Sequence, residues 1–204
     1  MKSEGKSMFL SSSFQTHSIP LLHLISTIDN SIPVYFLNTG FHFPETLAFR
    51  NQLTDRFDLN LINLQPDIEK IHQKDSKGRF FYSSDTDYCC HLNKILPMEV
   101  VMHKHDVWIA GVRAEQNQNR QGMKRFQEGR HNTMRYHPIL DWSSKDIYDY
   151  RVKFDLPAHP LEEQGYLSVG CEPCTAKFLD EGRAGRWDGT KKDECGLHIE
   201  LLEK

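Results

Sequence analysis

The stretch Val34-Tyr35-Phe36-Leu37-Asn38-Thr39-Gly40 indicates the fold class, because it joins a short apolar strand to a tight turn. Pro44-Glu45, shortly after it, is typical of the first turn of a helix. In that helix Phe49, Leu53 and Phe57 recur every four residues and therefore share one face. A strand followed by an amphipathic helix is the repeating unit of parallel α/β sheets.

The same unit recurs along the chain. Strands are predicted at residues 8–13, 34–38, 59–64 and 107–111. The helix after the first strand begins at a Ser18 cap, and its predicted inward-facing residues are Leu21, Leu22, Ile25 and Ile28. A capping box between Ser143 and Asp146 predicts a later helix. The pattern predicts one α/β domain over residues 1–204, with a mostly parallel twisted sheet and helices on both faces.

The ends of the predicted strands point to a binding crevice. In parallel sheets ligands bind beyond the carboxyl ends of the strands, so residues 11–18, 38–40 and 111–113 are expected to meet there. The Gly- and Pro-rich chain after Leu156 is expected at the surface rather than in a core. We also expect residues 1–7 to be disordered and residues 188–204 to form a mobile, irregular tail.

Composition argues against several classes of protein. The formal net charge of −3 disfavours a nucleic-acid-binding protein that relies on bulk electrostatics. No apolar run approaches the roughly 20 residues that span a membrane, and the first residues lack the apolar region of a signal peptide. We therefore expect a cytoplasmic protein without membrane contact, in which cysteines are reduced or bound to metal.

The five cysteines divide into four and one. Cys89-Cys90 and the Cys171-x-x-Cys174 pair are half-sites for a metal, and the second is typical of zinc or of an iron–sulfur cluster. Adjacent ligands are awkward for one tetrahedral ion, whereas a cluster offers a separate iron to each thiolate. We favour the cluster on this ground. Zinc, and unrelated buried or redox thiols, remain open on the residues alone.

Basic residues suggest an anionic ligand but do not establish one. Lys191 and Lys192 favour the thiolate of Cys195, whereas Asp193 and Glu194 oppose it, and a tail cysteine of this kind is often simply exposed. Shortly before this thiol, Arg183 and Arg186 suit phosphate or sulfate oxygens, or else face solvent. Six basic side chains against two acidic ones between residues 113 and 135 fit a solvated loop or a flap over a small anion.

Taken together, these segments resemble the assimilatory adenylyl-sulfate reductases of the phosphosulfate reductase family. The match covers about residues 8 to 198. Its most specific parts are Cys89-Cys90 with Lys94, residues 111–116, 138–142, 165–175 and 183–187, and Glu194-Cys195-Gly196-Leu197-His198.

The resemblance implies a fold like that of the adenine nucleotide alpha hydrolases and one 4Fe–4S cluster per chain. The implied cluster ligands are Cys89, Cys90, Cys171 and Cys174. Cys195 would attack the sulfur of adenosine 5′-phosphosulfate, release AMP and carry an S-sulfonate. Thioredoxin or glutaredoxin, expected as a separate protein, would then release sulfite. The implied contacts of the phosphosulfate are Lys94, Arg183, Arg186 and His198, with Arg113 in the same basic wall and Ser13 near the nucleotide.

Several alternatives remain at this stage. Family members that use the 3′-phosphorylated nucleotide typically lack the four cluster cysteines, so a 3′-phosphoadenosine 5′-phosphosulfate reductase or a dual-substrate enzyme is the second choice. An ATP-dependent sulfur-inserting enzyme is disfavoured because residues 11–18 lack a Gly-Gly-x-Asp core. A non-enzymatic four-cysteine metal protein is the third. The number of chains in the assembly, a homo-oligomer included, is left open.

Overall fold

The computed structural model describes residues 5–177, 185–187, 192 and 196–202. Within them six strands form one sheet: β1 (Met8–Ser11), β2 (Val34–Leu37), β3 (Leu61–Leu64), β4 (Val107–Ala110), β5 (Phe126–Glu128) and β6 (Met134–Tyr136). Their order across the sheet is β3-β2-β1-β4-β6-β5. Neighbours are parallel except for the antiparallel pair β5–β6. The predicted α/β class with a mostly parallel sheet is confirmed.

Helices pack on both faces of this sheet. They are α1 (Ile19–Asp29), α2 (Pro44–Phe57), α3 (Phe81–Ser84), α4 (Thr86–Cys90), α5 (Leu96–Met102), α6 (Gln118–Gln121) and α7 (Ser144–Lys153). Successive strand residues face opposite sides, so the two buried residues of β1 enter different apolar clusters. Leu10 packs with residues of α1, α2 and α7, whereas Phe9 packs with residues of α5 and with Trp108 of β4.

The local signals placed most elements correctly. Helix α2 begins at Pro44 as predicted, and Phe49, Leu53 and Phe57 are buried. The Ser143–Asp146 capping box is present at the start of α7. Ile28, however, is 74% exposed, so its predicted inward orientation is wrong. It lies on the last turn of α1, beyond the apolar cluster in which Ile25 is the last buried residue of that helix.

Two regions differ from the prediction. The antiparallel hairpin β5–β6 lies in a stretch interpreted as loop or flap, because three-residue strands of mixed polarity carry no apolar run. The chain after Leu156 was expected at the surface, yet its described residues include five buried apolar side chains: Leu161, Val169, Trp187, Leu197 and Leu201. That expectation was therefore wrong in part. Irregular chain can insert single side chains into a core without the periodicity that reveals a helix or strand.

The described ends of the chain are tied to the fold. The backbone and hydroxyl of Ser7 both donate hydrogen bonds of 2.8 Å to the Asp106 carboxylate. Residues 1–4 and much of the expected tail at 188–204 lie outside the described residues. In the part of the chain that the structure describes, no helix is long and apolar enough to cross a membrane.

Candidate functional site

A cleft of about 460 Å³ opens at the carboxyl ends of β1, β2 and β4. Residues 11–18, apart from Phe14, line it together with Gly111 and Arg113. Two of the three predicted strand-end segments therefore meet there. The third segment contributes Thr39 to a smaller neighbouring hollow instead.

The cysteine pair lies at an irregularity in a helical segment. Helix α4 ends with Cys89-Cys90, a π-helical turn spans His91–Ile95, and α5 follows. Pro97 in the first turn of α5 has no N–H to donate to the carbonyl of Asn93, and its ring would crowd that carbonyl in a regular α-helix. A widened turn relieves this conflict, and such turns are frequent at functional sites. Lys94 lies in this widened turn, which directly follows the two cysteines.

The fold brings the two cysteine pairs together. Cys89, Cys90, Cys171 and Cys174 all line the hollow, and all four are thiols. Cys171 bridges the backbone of His42 in antiparallel fashion, and its sulfur lies 3.3 Å from the Thr39 hydroxyl oxygen. The loop after β2 thus holds the Cys-x-x-Cys turn against the end of α4.

Two thiols of the hollow, Cys89 and Cys174, resist ionisation in the absence of a cation. Burial, followed by the neighbouring Cys90, Cys171 and Cys174, raises the pKa of Cys89 to about 12. Burial is also the first cause of the raised pKa of Cys174. Lys94 opposes both shifts. Buried thiols of this kind become thiolates readily only when a strongly positive group binds them.

The hollow is further supported by a buried amide pair. Asn93 Nδ2 donates to the Cys89 carbonyl oxygen at 2.9 Å and contacts Cys89 Sγ at 3.6 Å. Gln73 and Asn93 exchange two side-chain hydrogen bonds of 2.6 and 3.0 Å. Among the residues described, no three His, Cys, Asp or Glu side chains form a group suited to a single metal ion. Four thiol donors around one hollow fit a soft metal ion or an iron–sulfur cluster, so the residues present are chemically compatible with either.

Lys94 and Arg186 lie where the cleft meets the hollow, since both line each cavity. Arg186 Nη1 donates to the Val169 carbonyl oxygen at 3.2 Å, and the guanidinium lies 4.3 Å from the Trp187 ring centroid. A Cβ on Gly170 would come within 2.3 Å of that guanidinium. The position of Arg186 thus depends on a residue without a side chain.

Arg113 is buried and hydrogen-bonded within the protein, whereas the sequence suggested only that it belongs to a basic wall of the cleft. It is only 2% exposed, and it donates to the Trp142 carbonyl oxygen at 3.2 Å and to His17 Nδ1 at 3.0 Å. Burial is the first cause of its lowered pKa. Arg120, which the residue-level prediction missed, is also buried and lines the cleft. Its only signal in the sequence was the local basic excess.

Another part of the cleft lining is polar and partly acidic. Ser13 lines the cleft, and its hydroxyl oxygen lies 3.2 Å from that of Ser18. Thr16 donates a hydrogen bond to the Glu162 carboxylate and accepts one from the backbone of His159 at 3.0 Å. Glu162 and His159 were not predicted, because neither lies in a recognisable motif.

His198 reaches the cleft from the far end of the chain. Arg135 donates to its carbonyl oxygen and to its Nδ1, each at 3.0 Å. The two remaining predicted residues, Cys195 and Arg183, lie outside the described residues.

Comparisons with known proteins agree with this geometry. A sequence profile of the phosphoadenosine phosphosulfate reductase domain matches residues 7–177. The adenosine 5′-phosphosulfate reductase of Bacillus cytotoxicus is 38% identical over 190 residues, which cover 91% of this chain and 81% of the relative. The enzyme of the same name from Chelativorans sp. is 38% identical over 195 residues, which cover 94% and 79%.

Solved structures share the fold at low sequence identity. The phosphoadenylyl-sulfate reductase of Candida auris has a TM-score of 0.69 at 19% identity and 81% coverage of both chains. An FMN adenylyltransferase of Candida glabrata has a TM-score of 0.61 at 16% identity, over 97% of this chain and 66% of that one. With the profile match and the curated relatives, the resemblance noted from the sequence is confirmed: this chain belongs to the phosphoadenosine phosphosulfate reductase family and is an oxidoreductase.

Proposed function

We propose that this protein reduces adenosine 5′-phosphosulfate to sulfite and AMP in assimilatory sulfate reduction. The observation that carries this proposal is the junction of the two cavities, because Lys94, Cys171 and Arg186 line both the cleft and the cysteine hollow. An anion bound there would lie beside two cations and four thiols. The curated relatives named adenosine 5′-phosphosulfate reductase support the same reaction.

The proposed cofactor is one 4Fe–4S cluster held by Cys89, Cys90, Cys171 and Cys174. Support comes from four thiols around one hollow and from raised pKa values that call for a positive partner. When bound, such a cluster would hold these thiolates and supply positive iron beside the cleft. Free thiols also favour a reducing compartment, so we place the protein in the cytoplasm.

In the proposed reaction the cations of the cleft bind the phosphosulfate and neutralise its charge. Lys94 and Arg186 line the cleft as cations, His198 lines it as a hydrogen-bond donor, and the motif match adds Arg183. The Cys195 thiolate attacks the sulfur, a sulfur–sulfur bond forms, and the sulfur–oxygen bond to AMP breaks. AMP leaves with the electron pair. Splitting the reduction in this way into two displacements is covalent catalysis, and preorganised cations stabilise the leaving group.

The second displacement regenerates the enzyme. A thiolate of reduced thioredoxin or glutaredoxin attacks Cys195 Sγ, and sulfite leaves with the electron pair of the sulfur–sulfur bond. The second thiol of the reductant then attacks the mixed disulfide and releases Cys195 as a thiolate. The reductant becomes a disulfide, so its two electrons balance the reduction of the sulfonate to sulfite.

Sulfite release tests this function directly. Purified protein is supplied with reduced thioredoxin or glutaredoxin and with either adenosine 5′-phosphosulfate or its 3′-phosphorylated form. We expect sulfite and AMP from the unphosphorylated nucleotide, and much less product from the other. Faster sulfite release from the 3′-phosphorylated nucleotide would favour the second-choice substrate. Pyrophosphate release from ATP without sulfite from either nucleotide would contradict the proposal.

A further inference from the structure

Arg135 carries a charge in the interior of the protein. It lies at the centre of β6 with 0% of its surface exposed. Its guanidinium lies over the Trp108 ring, 4.7 Å from the centroid. Burial lowers its pKa to about 10, because desolvating a charge is costly. No carboxylate among the described residues forms an ion pair with it, so another interaction must justify the burial.

That interaction is with the C-terminal tail, defined as residues 196–202. Arg135 Nη1 donates to the carbonyl oxygen of His198, and Nη2 donates to Nδ1 of the same residue. The His198 ring also stacks on Trp108 with ring centroids 5.8 Å apart. One guanidinium therefore holds both the main chain and the ring of His198.

The hydrogen bond to the ring determines where His198 carries its proton. A guanidinium has only donors, so Nδ1 must be the acceptor and bears no hydrogen. The hydrogen of the neutral imidazole is then on Nε2, the nitrogen that Arg135 does not contact. A hydrogen on Nδ1 would point at the Nη2–H of Arg135, so the geometry disfavours the Nδ1–H tautomer. Since His198 lines the cleft, this tautomer offers a neutral N–H donor to a bound anion.

The same arrangement occurs a second time in the cleft. Arg113, buried like Arg135, donates from Nη2 to Nδ1 of His17 at 3.0 Å. The His17 side chain lines the cleft and is exposed there. Its pKa is nevertheless lowered, first by desolvation from the surrounding protein and second by the positive charge of Arg113. Arg113, just beyond the end of β4, and Arg135, within β6, thus direct two histidines towards the same tautomer.

The surroundings of Arg135 leave it little freedom to move. A Cβ on Gly129 would lie 3.1 Å from its Cγ and Cδ, so the side chain packs directly against the glycine backbone. Gly129 also bridges Leu202, and the backbone of Arg130 donates to the Leu201 carbonyl oxygen at 3.1 Å. The β5–β6 turn therefore anchors the same tail that Arg135 holds at His198.

We propose that Arg135 is a positioning residue that holds His198 as the Nε2–H tautomer and orients the tail that follows Cys195. Its consequence for catalysis rests on the proposed function, in which Nε2–H donates to an oxygen of the phosphosulfate. The tautomer itself can be observed without any reaction.

Long-range ¹H–¹⁵N NMR of protein labelled at histidine nitrogens tests the tautomer at neutral pH. His198→Gln identifies the signal among the 11 histidines. We expect a pure Nε2–H pattern in the unmodified protein, a mixed pattern in Arg135→Met and a largely retained one in Arg135→Lys. Arg125→Met, which removes a surface arginine paired with Asp141, should change nothing. An Nδ1–H pattern in the unmodified protein, or an unchanged pattern in folded Arg135→Met, would overturn the proposal.

Single-turnover formation of the Cys195 sulfonate tests the consequence. We expect Arg135→Met to slow it roughly 10- to 100-fold, which corresponds to one hydrogen bond to a charged group, with partial rescue by lysine and no effect of Arg125→Met. An unchanged rate in folded Arg135→Met would disprove the positioning role. If methionine prevents folding, the lysine variant decides by the same two measurements. Absence of sulfonate and sulfite in the unmodified protein would refute the proposed function and leave the tautomer result standing.

Discussion

The cysteine hollow and the neighbouring cleft differ in how they treat charge. In the hollow, burial and the neighbouring thiols raise the pKa of Cys89 and Cys174, so these thiols favour a positive guest. In the cleft, the buried Arg113 and the half-buried Arg186 each have a buried Nε without a partner among the described residues, so the region favours a negative guest. These opposite demands on adjacent cavities fit the proposed division between a cofactor site and an anion site.

Lys94 and Arg186 form the boundary between the two regions. Each carries a positive charge that attracts an anion in the cleft and that counterbalances thiolates in the hollow. Substitutions in one region, with substrate turnover and iron content both measured, can show whether the two regions act separately.

The largest expected effect belongs to the cleft alone. Cys195→Ser should reduce sulfite release by roughly a thousandfold or more, because the nucleophile is lost. Iron and sulfide content should stay the same, since the four proposed ligands are untouched. Mass spectrometry of protein mixed with adenosine 5′-phosphosulfate, without reductant, should show a sulfonate on Cys195 that this variant lacks. An adduct on another cysteine would reassign the nucleophile.

A change in the hollow should affect both regions. Cys171→Ser is expected to abolish the brown colour and absorbance near about 400 nm that thiolate-bound iron gives, and to lower the thermal unfolding temperature of the anaerobic protein. A colourless unmodified protein with one zinc per chain would contradict the cluster. Cys195→Ser is the matched control, because it removes a thiol that is not one of the four proposed ligands.

Changes at the boundary should be smaller and mostly confined to the cleft. Arg186→Ala should cost about 1.5–3 kcal/mol in kcat/KM if the guanidinium makes a charged hydrogen bond to substrate. Arg183→Ala is expected to cost a similar amount. Steady-state kinetics, with iron content as the control, would measure both losses. Unchanged kinetics would mean that these arginines face solvent and do not bind the substrate.

A related change reaches Arg186 through its neighbour. Gly170→Ala would bring a Cβ within 2.3 Å of the Arg186 guanidinium and should displace it. Because a flexible side chain can move aside, we expect a small loss of stability and a fall in kcat/KM no larger than that of Arg186→Ala. In the Arg186→Ala background the same change should have almost no further kinetic effect. Additive losses would show that the two residues act independently.

The smallest effect concerns acid stability at the edge of the cleft. Burial lowers the pKa of His42 from 6.5 to about 4, although its bond to Leu37 opposes the shift. The unfolded chain therefore binds the proton first, and the stability that this group contributes above pH 6.5 is lost as the pH falls towards 4. Urea unfolding of His42→Asn should show a shallower loss over this range, by about 1–3 kcal/mol. An identical pH slope would contradict it.

Much of the fold could be predicted because its signals are local. The strand beginning at Val34 and the helix beginning at Pro44 follow from periodicity and turn chemistry, and both were placed within a residue or two. The β5–β6 hairpin was missed because its strands have only three residues each, too few for a period to be recognised. Apolar residues of the tail such as Leu201 were missed for a similar reason, since isolated side chains carry no period.

The candidate site could be predicted only in part from such local signals. The cysteines were visible as motifs, as was the excess of basic residues. Which arginines are buried was not visible, because Arg113, Arg120 and Arg135 look alike in a basic stretch, yet they contact different partners. Glu162 gave no signal in the sequence, since its hydrogen bond is with Thr16, 146 residues earlier in the chain.

The sequence by itself determined the alternation of strands and helices, the parallel sheet and the chemical types of the donor groups, because these depend on neighbours a few residues apart. Only the tertiary structure decided that Cys89 and Cys171 line one hollow and that Arg135 meets His198 across 63 residues. Such pairings depend on the order of the strands and on the docking of the tail. These pairings follow from the packing of the whole sheet, and a pattern of a few neighbouring residues carries no information about that packing.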